Sequence, residues 1–233
     1  VGSEMCIRDS IFRLNIHMNR IAASAAALQL TESLRAPALA DAAHATVQHN
    51  GLKEARVRLT LTGGVLDFRA QEAPRTEPTI LIHAQPPTQY PETIYLKGIR
   101  VTVANDRLSP MDARAGQKTL AYWARLAALQ AAGAHGAAES LWFTVSNHLA
   151  GGSTSNVLLI KDGVLISPFA QGEEPSGALG SPVRPGVTRE VMFELARENG
   201  MLVELKVLDI NELLGADEVL LCNSSWGVLP VVQ

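Results

Sequence analysis

The chain has 233 residues, 47% of them hydrophobic and 18% charged, and a formal net charge of −3. That length suits one large or two smaller globular domains, and the balance excludes a disordered chain. Arg and Lys form no run, and no stretch approaches the roughly 20 apolar residues of a bilayer crossing, so neither nucleic acid nor a membrane is an expected partner.

The chain opens on Val1–Ser10 (VGSEMCIRDS) and closes in the apolar run Val231-Val232-Gln233. The opening has no periodicity in common with the helical segment after it, so residues 1–10 are set aside as a non-native leader. The whole reads as a piece of a longer protein, truncated at both ends. The only cysteines, Cys6 and Cys222, lie far apart and make neither a disulfide framework nor a zinc spacing. Cys222 reads as a small buried thiol, and a reducing, cytoplasmic setting is expected.

In chain order, Phe12–Leu30 is helical, with Ile16, Ile21, Ala25 and Leu28 near one face. Thr31 can cap a second helix that runs to about Val47, with Pro37 in its first turns and His49-Asn50-Gly51 at its end. Ala55–Thr62 alternates Val57, Leu59 and Leu61 against Arg56, Arg58 and Thr60, a half-buried strand. Gly63-Gly64 turns the chain toward a partner strand over Val65–Ala70. Thr79–Ala84 and Gly98–Ala104 are two more strands on either side of a proline-rich crossing. Asn105–Arg114 reads as a linker.

Lys118–Ala132 is predicted as an alanine-rich helix, followed by strands at Ser140–Val145 and Asn156–Lys161. Asp162-Gly163 then turns the chain into a strand ending at Ile166. Phe169–Pro185 is too rich in Gly and Pro for an element. Gly186 opens a helix to about Asn199, closed by Gly200. Leu202–Val207 is a strand, Ile210–Leu214 a short helix and Glu218–Cys222 a strand. The first half is thus helices followed by strands, an α+β order rather than a βαβ repeat.

Three places could carry chemistry. Pro185-Gly186-Val187-Thr188-Arg189 enters a helix, where free N–H groups and the positive dipole end suit a phosphate, though a merely capped helix start reads the same way. Cys222-Asn223-Ser224-Ser225-Trp226-Gly227 comes after an apolar strand, a position equally suited to ligand donors and to an ordinary Asn/Ser turn. Lys118 is either a solvated charge or an amine whose pKa the helix start depresses. The six histidines show no metal spacing, and no serine sits in a nucleophile elbow, so no metal is expected.

Taken in order, these pieces resemble one family, the fold-type IV pyridoxal-phosphate enzymes (aminotransferase class IV). His17-Met18-Asn19-Arg20-Ile21…Ser24-Ala25 is similar to the family's H-x-x-R-L…S-A helix, and Lys118-Thr119-Leu120-Ala121-Tyr122 to K-[ST]-L-N-Y. Ser155-Asn156-Val157-Leu158 is similar to S-N-[VIL]-F, Pro185–Arg189 to P-G-I-T-R, and Asn223–Val231 to N-S-x-x-G-[IV]-x-P-V.

The resemblance implies an α/β (α+β) two-domain fold. A small N-terminal domain would cover residues 11–107, a linker 108–114, and a larger cofactor-binding domain 115–233. Pyridoxal 5′-phosphate would lie between the domains, in a homodimer, with an amino acid and a 2-oxo acid as substrates. Lys118 would form the Schiff base and shuttle the proton between the substrate α-carbon and the cofactor C4′. Arg20, Gly186, Val187, Thr188 and Ser224 would hold the phosphate. Tyr122 would lie near the 3′-oxygen, with Asn156 and Asn223 completing the cofactor contacts. Ser225 and Arg58 would face the substrate carboxylate, although Arg58 reads equally well as an exposed strand arginine.

One departure stands out. The family carries a glutamate five residues before the S-N asparagine, where it holds the pyridine nitrogen protonated, and this chain has Gly151 there. Without that carboxylate the ring is a poorer electron sink. The first expectation is an aminotransferase. A 4-amino-4-deoxychorismate lyase comes second, because Cys222-Asn223-Ser224 and the short lysine motif also resemble that branch. Gly151 keeps a third open, a homologue that binds the cofactor without turnover.

Overall fold

A computed structural model of the chain describes residues 2–7, 10–64, 78–112 and 114–232, and of 2–7 and 10 the backbone alone. Its contacts divide the chain into residues 1–89 and 90–233.

The first unit runs β1 (Gly2–Ile7), β2 (Ser10–Ile11), α1 (Leu14–Ala27), α2 (Ala36–His49), β3 (Ala55–Thr62) and β4 (Thr79–Gln85), with an antiparallel sheet in the order β2-β1-β3-β4. Leu14, Met18 and Ile21 from α1, and Leu39, Ala43 and Val47 from α2, pack against Val57 and Leu59 of β3. Each large apolar side chain buried there is worth about 1.5–3 kcal/mol. Pro37 falls in the first turn of α2, where its missing N–H costs nothing.

One expectation is corrected in this unit, and a second segment takes part in the sheet. Thr31 does not cap α2; Arg35 holds the cap position, and the Thr31 hydroxyl accepts from the Ser33 N–H at 3.2 Å in a local turn. The segment set aside as a leader supplies β1, whose backbone pairs with β3 from Gly2↔Leu59 to Cys6↔Ala55 and so covers an edge of that strand. The expected strand Val65–Ala70 lies outside the described residues.

The second unit runs α3 (Thr93–Lys97), β5 (Val101–Leu108), α4 (Trp123–Ala134), β6 (Glu139–Thr144), β7 (Leu149–Gly152), β8 (Asn156–Lys161), β9 (Val164–Ser167), α5 (Val187–Glu198), β10 (Leu202–Leu205), α6 (Ile210–Leu214), β11 (Glu218–Asn223) and β12 (Gly227–Val231). A five-stranded sheet has the order β10-β9-β8-β11-β12, and a three-stranded one the order β5-β6-β7. Val157, Leu159 and Leu221 face the side shared with Leu141, Phe143 and Leu149, while Leu158 and Cys222 face α5 through Phe193 and Ala196. Burial on both faces is why β8 reads as an unbroken apolar run rather than an alternating one. Asp162 (φ 49°) and Gly163 (φ 75°) turn β8 into β9 with both central residues at positive φ, as the Asp-Gly pair predicts.

Differences from the sequence reading arise from tertiary contacts. β5 pairs in parallel with β6, and the contacts divide the chain at Gln89/Tyr90. β7 is short and ends on two glycines, so it carries no strand signal, and α3 lies inside the proline-rich crossing. The helix expected from Lys118 begins only at Trp123, with Tyr122 (φ −105°, ψ 4°) at its cap. Residues 118–121 stay non-helical because both their flanks are tied elsewhere, by Gln117 to Gln171 and by Arg125 to Gly152, which outweighs the helix propensity of Leu and Ala. Among the described residues no helix is long and apolar enough to cross a membrane.

Candidate active site

β8 begins at Asn156 and the antiparallel β11 ends at Asn223, with Asn156 registered against Cys222, so both asparagines lie at one end of the sheet. The N-terminus of α5 arrives at the same end. Asn156 Nδ2 donates to the Arg184 carbonyl at 2.8 Å, and its Oδ1 lies where a Cβ on Gly186 would sit. A side chain there would displace the Asn156 amide. Gly186 is the cap residue of α5 and gives it no side-chain cap. The first N–H groups of an α-helix have no acceptor within it, so those of Val187 and Thr188 remain for an anion.

The neighbouring turn is held by Asn223. Its Oδ1 accepts from the N–H groups of Ser225 (2.8 Å) and Trp226 (3.0 Å), and its Nδ2 donates to the Thr154 carbonyl at 3.3 Å. Ser224 and Ser225 are half-buried in that turn. Behind it, Cys222 is buried, and desolvation pushes its thiol up to about 12, which removes it as a nucleophile.

Gly151 lies on β7 opposite Trp142, at φ 154°. A Cβ there would stand 2.9 Å from the Ser155 carbonyl oxygen, which already accepts the Gly152 N–H at 2.9 Å. The backbone thus excludes any side chain at the position where the resemblance calls for an acid. Beside it, the half-buried Arg125 donates to the carbonyls of Gly152 (2.9 Å) and Ser153 (3.2 Å) and stacks 5.2 Å over the Trp142 ring. Burial lowers the Arg125 pKa, opposed by Tyr122 and Glu139. Tyr122, with its ring 6.0 Å from the same guanidinium, is brought to this edge.

Lys118 is half-buried on the segment before α4. That segment is fixed by Gln117 Nε2 donating to Gln171 Oε1 at 2.7 Å, and Gly116 (φ 77°) leaves no room for a Cβ beside the Gln171 side chain. In the first unit, Arg20 is half-buried on α1, and Arg58 is exposed on the side of β3 opposite Val57 and Leu59, across from His83 of β4.

Three groups escape the sequence reading. Glu139 is 0% exposed and holds the loop after β7. Arg189, 2% exposed, forms a two-toothed pair with Glu173 (2.8 and 2.7 Å) and also donates to Ser167 Oγ and the Pro168 carbonyl. Trp142 Nε1 donates to Ser153 Oγ at 2.9 Å. Two of them carry a signal in the sequence. Arg189 shares helical spacing with Phe193 and Ala196, and Glu139 is an acid opening the apolar strand ESLWFT.

The family pattern of amino-transferase class IV matches residues 6–233. The chain belongs to that family. A branched-chain-amino-acid aminotransferase of Escherichia coli (strain K12) is 27% identical over 227 residues, which span 95% of this chain and 70% of that protein. A crystal structure of the Escherichia coli branched-chain amino acid aminotransferase superposes with a TM-score of 0.86 at 25% identity, covering 98% of this class IV chain and 75% of the other. A 4-amino-4-deoxychorismate lyase from Pseudomonas aeruginosa gives a TM-score of 0.83 at 28% identity, over 99% and 80% of the two chains. Class IV aminotransferases are enzymes that use pyridoxal phosphate.

Proposed function

We propose that this chain is a pyridoxal-phosphate-dependent aminotransferase that moves an amino group between an amino acid and a 2-oxo acid. The observation that carries the reading is the anion cradle: an α5 N-terminus without a side-chain cap, with Gly186 hard against Asn156 and the Asn223-organised turn at the same sheet end. The residues present fit a phosphate monoester, since the uncapped α5 N-terminus and a turn bearing short hydroxyl residues lie at the same sheet end and no acidic side chain belongs to either turn.

In this reading the N–H groups of Val187 and Thr188 and the hydroxyl of Ser224 bind the phosphate, while Asn156 and Asn223 orient the two turns. Tyr122 would lie near the cofactor's 3′-oxygen, and Lys118 Nζ would carry a proton to and from the substrate α-carbon. When bound, pyridoxal phosphate supplies the electron sink. Arg20 on the phosphate and Ser225 on the substrate carboxylate belong to the same proposal and rest on their motifs, and Arg58 on that carboxylate belongs to it through its place on β3. A smaller first domain, a cofactor-binding second domain, a homodimer and a cytoplasmic setting belong to it as well. With Gly151 where the resemblance puts the acid, the pyridine nitrogen would lack a carboxylate partner, and turnover slower than in an acid-bearing relative is expected.

The test is an absorbance titration of the purified chain with pyridoxal phosphate, beside Lys118→Ala. A near-visible band that moves on adding an amino acid and is missing in the variant supports the reading; identical spectra for the two proteins sink it. The likeness to the Pseudomonas aeruginosa lyase gives a second reading, lyase activity, and the two separate by whether an added 2-oxo acid accepts the nitrogen.

A further inference from the structure

Glu139 opens β6 with its carboxylate wholly inside the second unit. Its Oε1 accepts from the backbone N–H groups of Ser140 (3.0 Å) and Ser153 (3.0 Å). Its Oε2 accepts from the Thr154 N–H (3.1 Å), the Thr154 hydroxyl (2.8 Å) and the Ser155 hydroxyl (3.2 Å). A Cβ on Gly152 would press on the Ser155 hydroxyl and stand 3.0 Å from the Glu139 carboxyl carbon, so the loop passes close over the carboxylate and a side chain there would push these groups aside. A buried charge is costly unless its lone pairs are filled. Here four of the five donors come from the short stretch after β7.

The path of that stretch beyond the carboxylate gives the arrangement its consequence. The Thr154 carbonyl accepts the amide of Asn223, which builds the Ser224–Trp226 turn. Ser155 leads directly into Asn156, whose amide holds the Arg184 carbonyl just ahead of Gly186. One carboxylate therefore fixes, through one loop, both turns that face the anion cradle.

We infer that Glu139 is a positioning residue for phosphate recognition, setting the spacing between the α5 N-terminus and the Asn223–Ser225 turn without touching the cofactor. The inference rests on the pyridoxal-phosphate reading above. Glu139→Gln keeps the shape but turns one acceptor oxygen into a donor. That group then faces the N–H and O–H donors of Thr154 and Ser155 or the N–H groups of Ser140 and Ser153, of which only the Ser153 N–H has a second acceptor, the Ser140 carbonyl at 3.0 Å, and the loop must shift.

The experiment compares equilibrium binding of pyridoxal phosphate and of pyridoxal, which lacks the phosphate, to the full chain, with circular dichroism as the folding control. In Glu139→Gln, affinity for pyridoxal phosphate is expected to fall roughly tenfold while that for pyridoxal changes far less. Thr154→Val, which removes one hydroxyl donor and keeps the N–H, is expected to shift the ratio the same way by less, and it carries the test if Glu139→Gln fails to fold. Equal weakening for both ligands, or none for either, overturns the inference. A wild-type chain that binds both ligands equally well overturns the functional reading itself, a failure visible before any variant is made.

Discussion

Arg189 offers the most exacting test of how the second unit is held together. Its guanidinium is 2% exposed and meets Glu173, whose side chain is 29% exposed, through a pair at 2.7 Å. It also donates to Ser167 Oγ at 2.8 Å and the Pro168 carbonyl at 2.9 Å, and lies 4.5 Å over the Phe193 ring. Arg189→Met keeps most of the packing on Phe193 and removes every polar bond. Breaking one side of a buried pair costs about 3–5 kcal/mol, and the partial exposure of Glu173 lets water recover some of that. The buried Pro168 carbonyl and Ser167 hydroxyl lose a donor, worth about 1–3 kcal/mol more. A total near 4 kcal/mol is expected, against about 2 kcal/mol for Arg189→Lys, which keeps the charge but not the planar fork. Urea unfolding followed by tryptophan fluorescence suits the measurement, because Trp123, Trp142 and Trp226 all belong to the second unit. A double-mutant cycle with Glu173→Gln should return a coupling above about 1.5 kcal/mol. If Arg189→Met costs less than about 1 kcal/mol, or the cycle shows no coupling, the reasoning fails.

Two further outcomes rest on individual groups. Cys222, with its thiol pushed up to about 12 by burial, should resist alkylation in the native chain near pH 8 and react once the chain unfolds; fast native labelling, mapped by mass spectrometry to Cys222 and not Cys6, would refute its burial. Asp209 caps α6, accepting from the N–H groups of Asn211 (2.8 Å) and Glu212 (3.0 Å), and chiefly the Glu212 N–H holds its pKa below the ordinary 3.8. A carboxylate with a depressed folded-state pKa adds stability that is present above its unfolded pKa and lost as pH falls through the folded one. Asp209→Asn should therefore flatten the dependence of the urea midpoint on pH below about 4, and an unchanged profile would show that the cap does not couple to folding.

Much of the fold is legible in the sequence because local chemistry and tertiary need agree. β3 alternates cleanly because one face packs on α1 and α2 while Arg58 points away, and α6 is announced by its Asp209–Glu212 capping box. The cradle is legible in part, since Gly186 and Asn223 mark turn positions whatever surrounds them. The contacts that pin them are not. Asn156 against Gly186 and Glu139 beneath Thr154 join residues far apart in sequence, and no spacing encodes them. The start of α4 escapes for a similar reason, as propensity favours a helix from Lys118 while Gln171 and Gly152 draw its flanks elsewhere. Gly151 shows the opposite case. The sequence displays the missing acid, but only the backbone, with Ser155 oxygen 2.9 Å from a would-be Cβ, explains why no substitution alone restores it.

The parallel pairing of β5 with β6 has a consequence in time as well as space. The two strands are neighbours in the sheet, yet the lysine segment and all of α4 lie between them. Zipping them closes a loop of roughly 30 residues, an entropic toll levied before any of the new contacts can repay it. Lys118 rides on that loop, so its amine is held in place only after a non-local step that hairpins such as β8–β9 do not await. If Lys118 has the imine role proposed above, competence to bind the cofactor aldehyde should therefore lag behind the recovery of sheet signal during refolding.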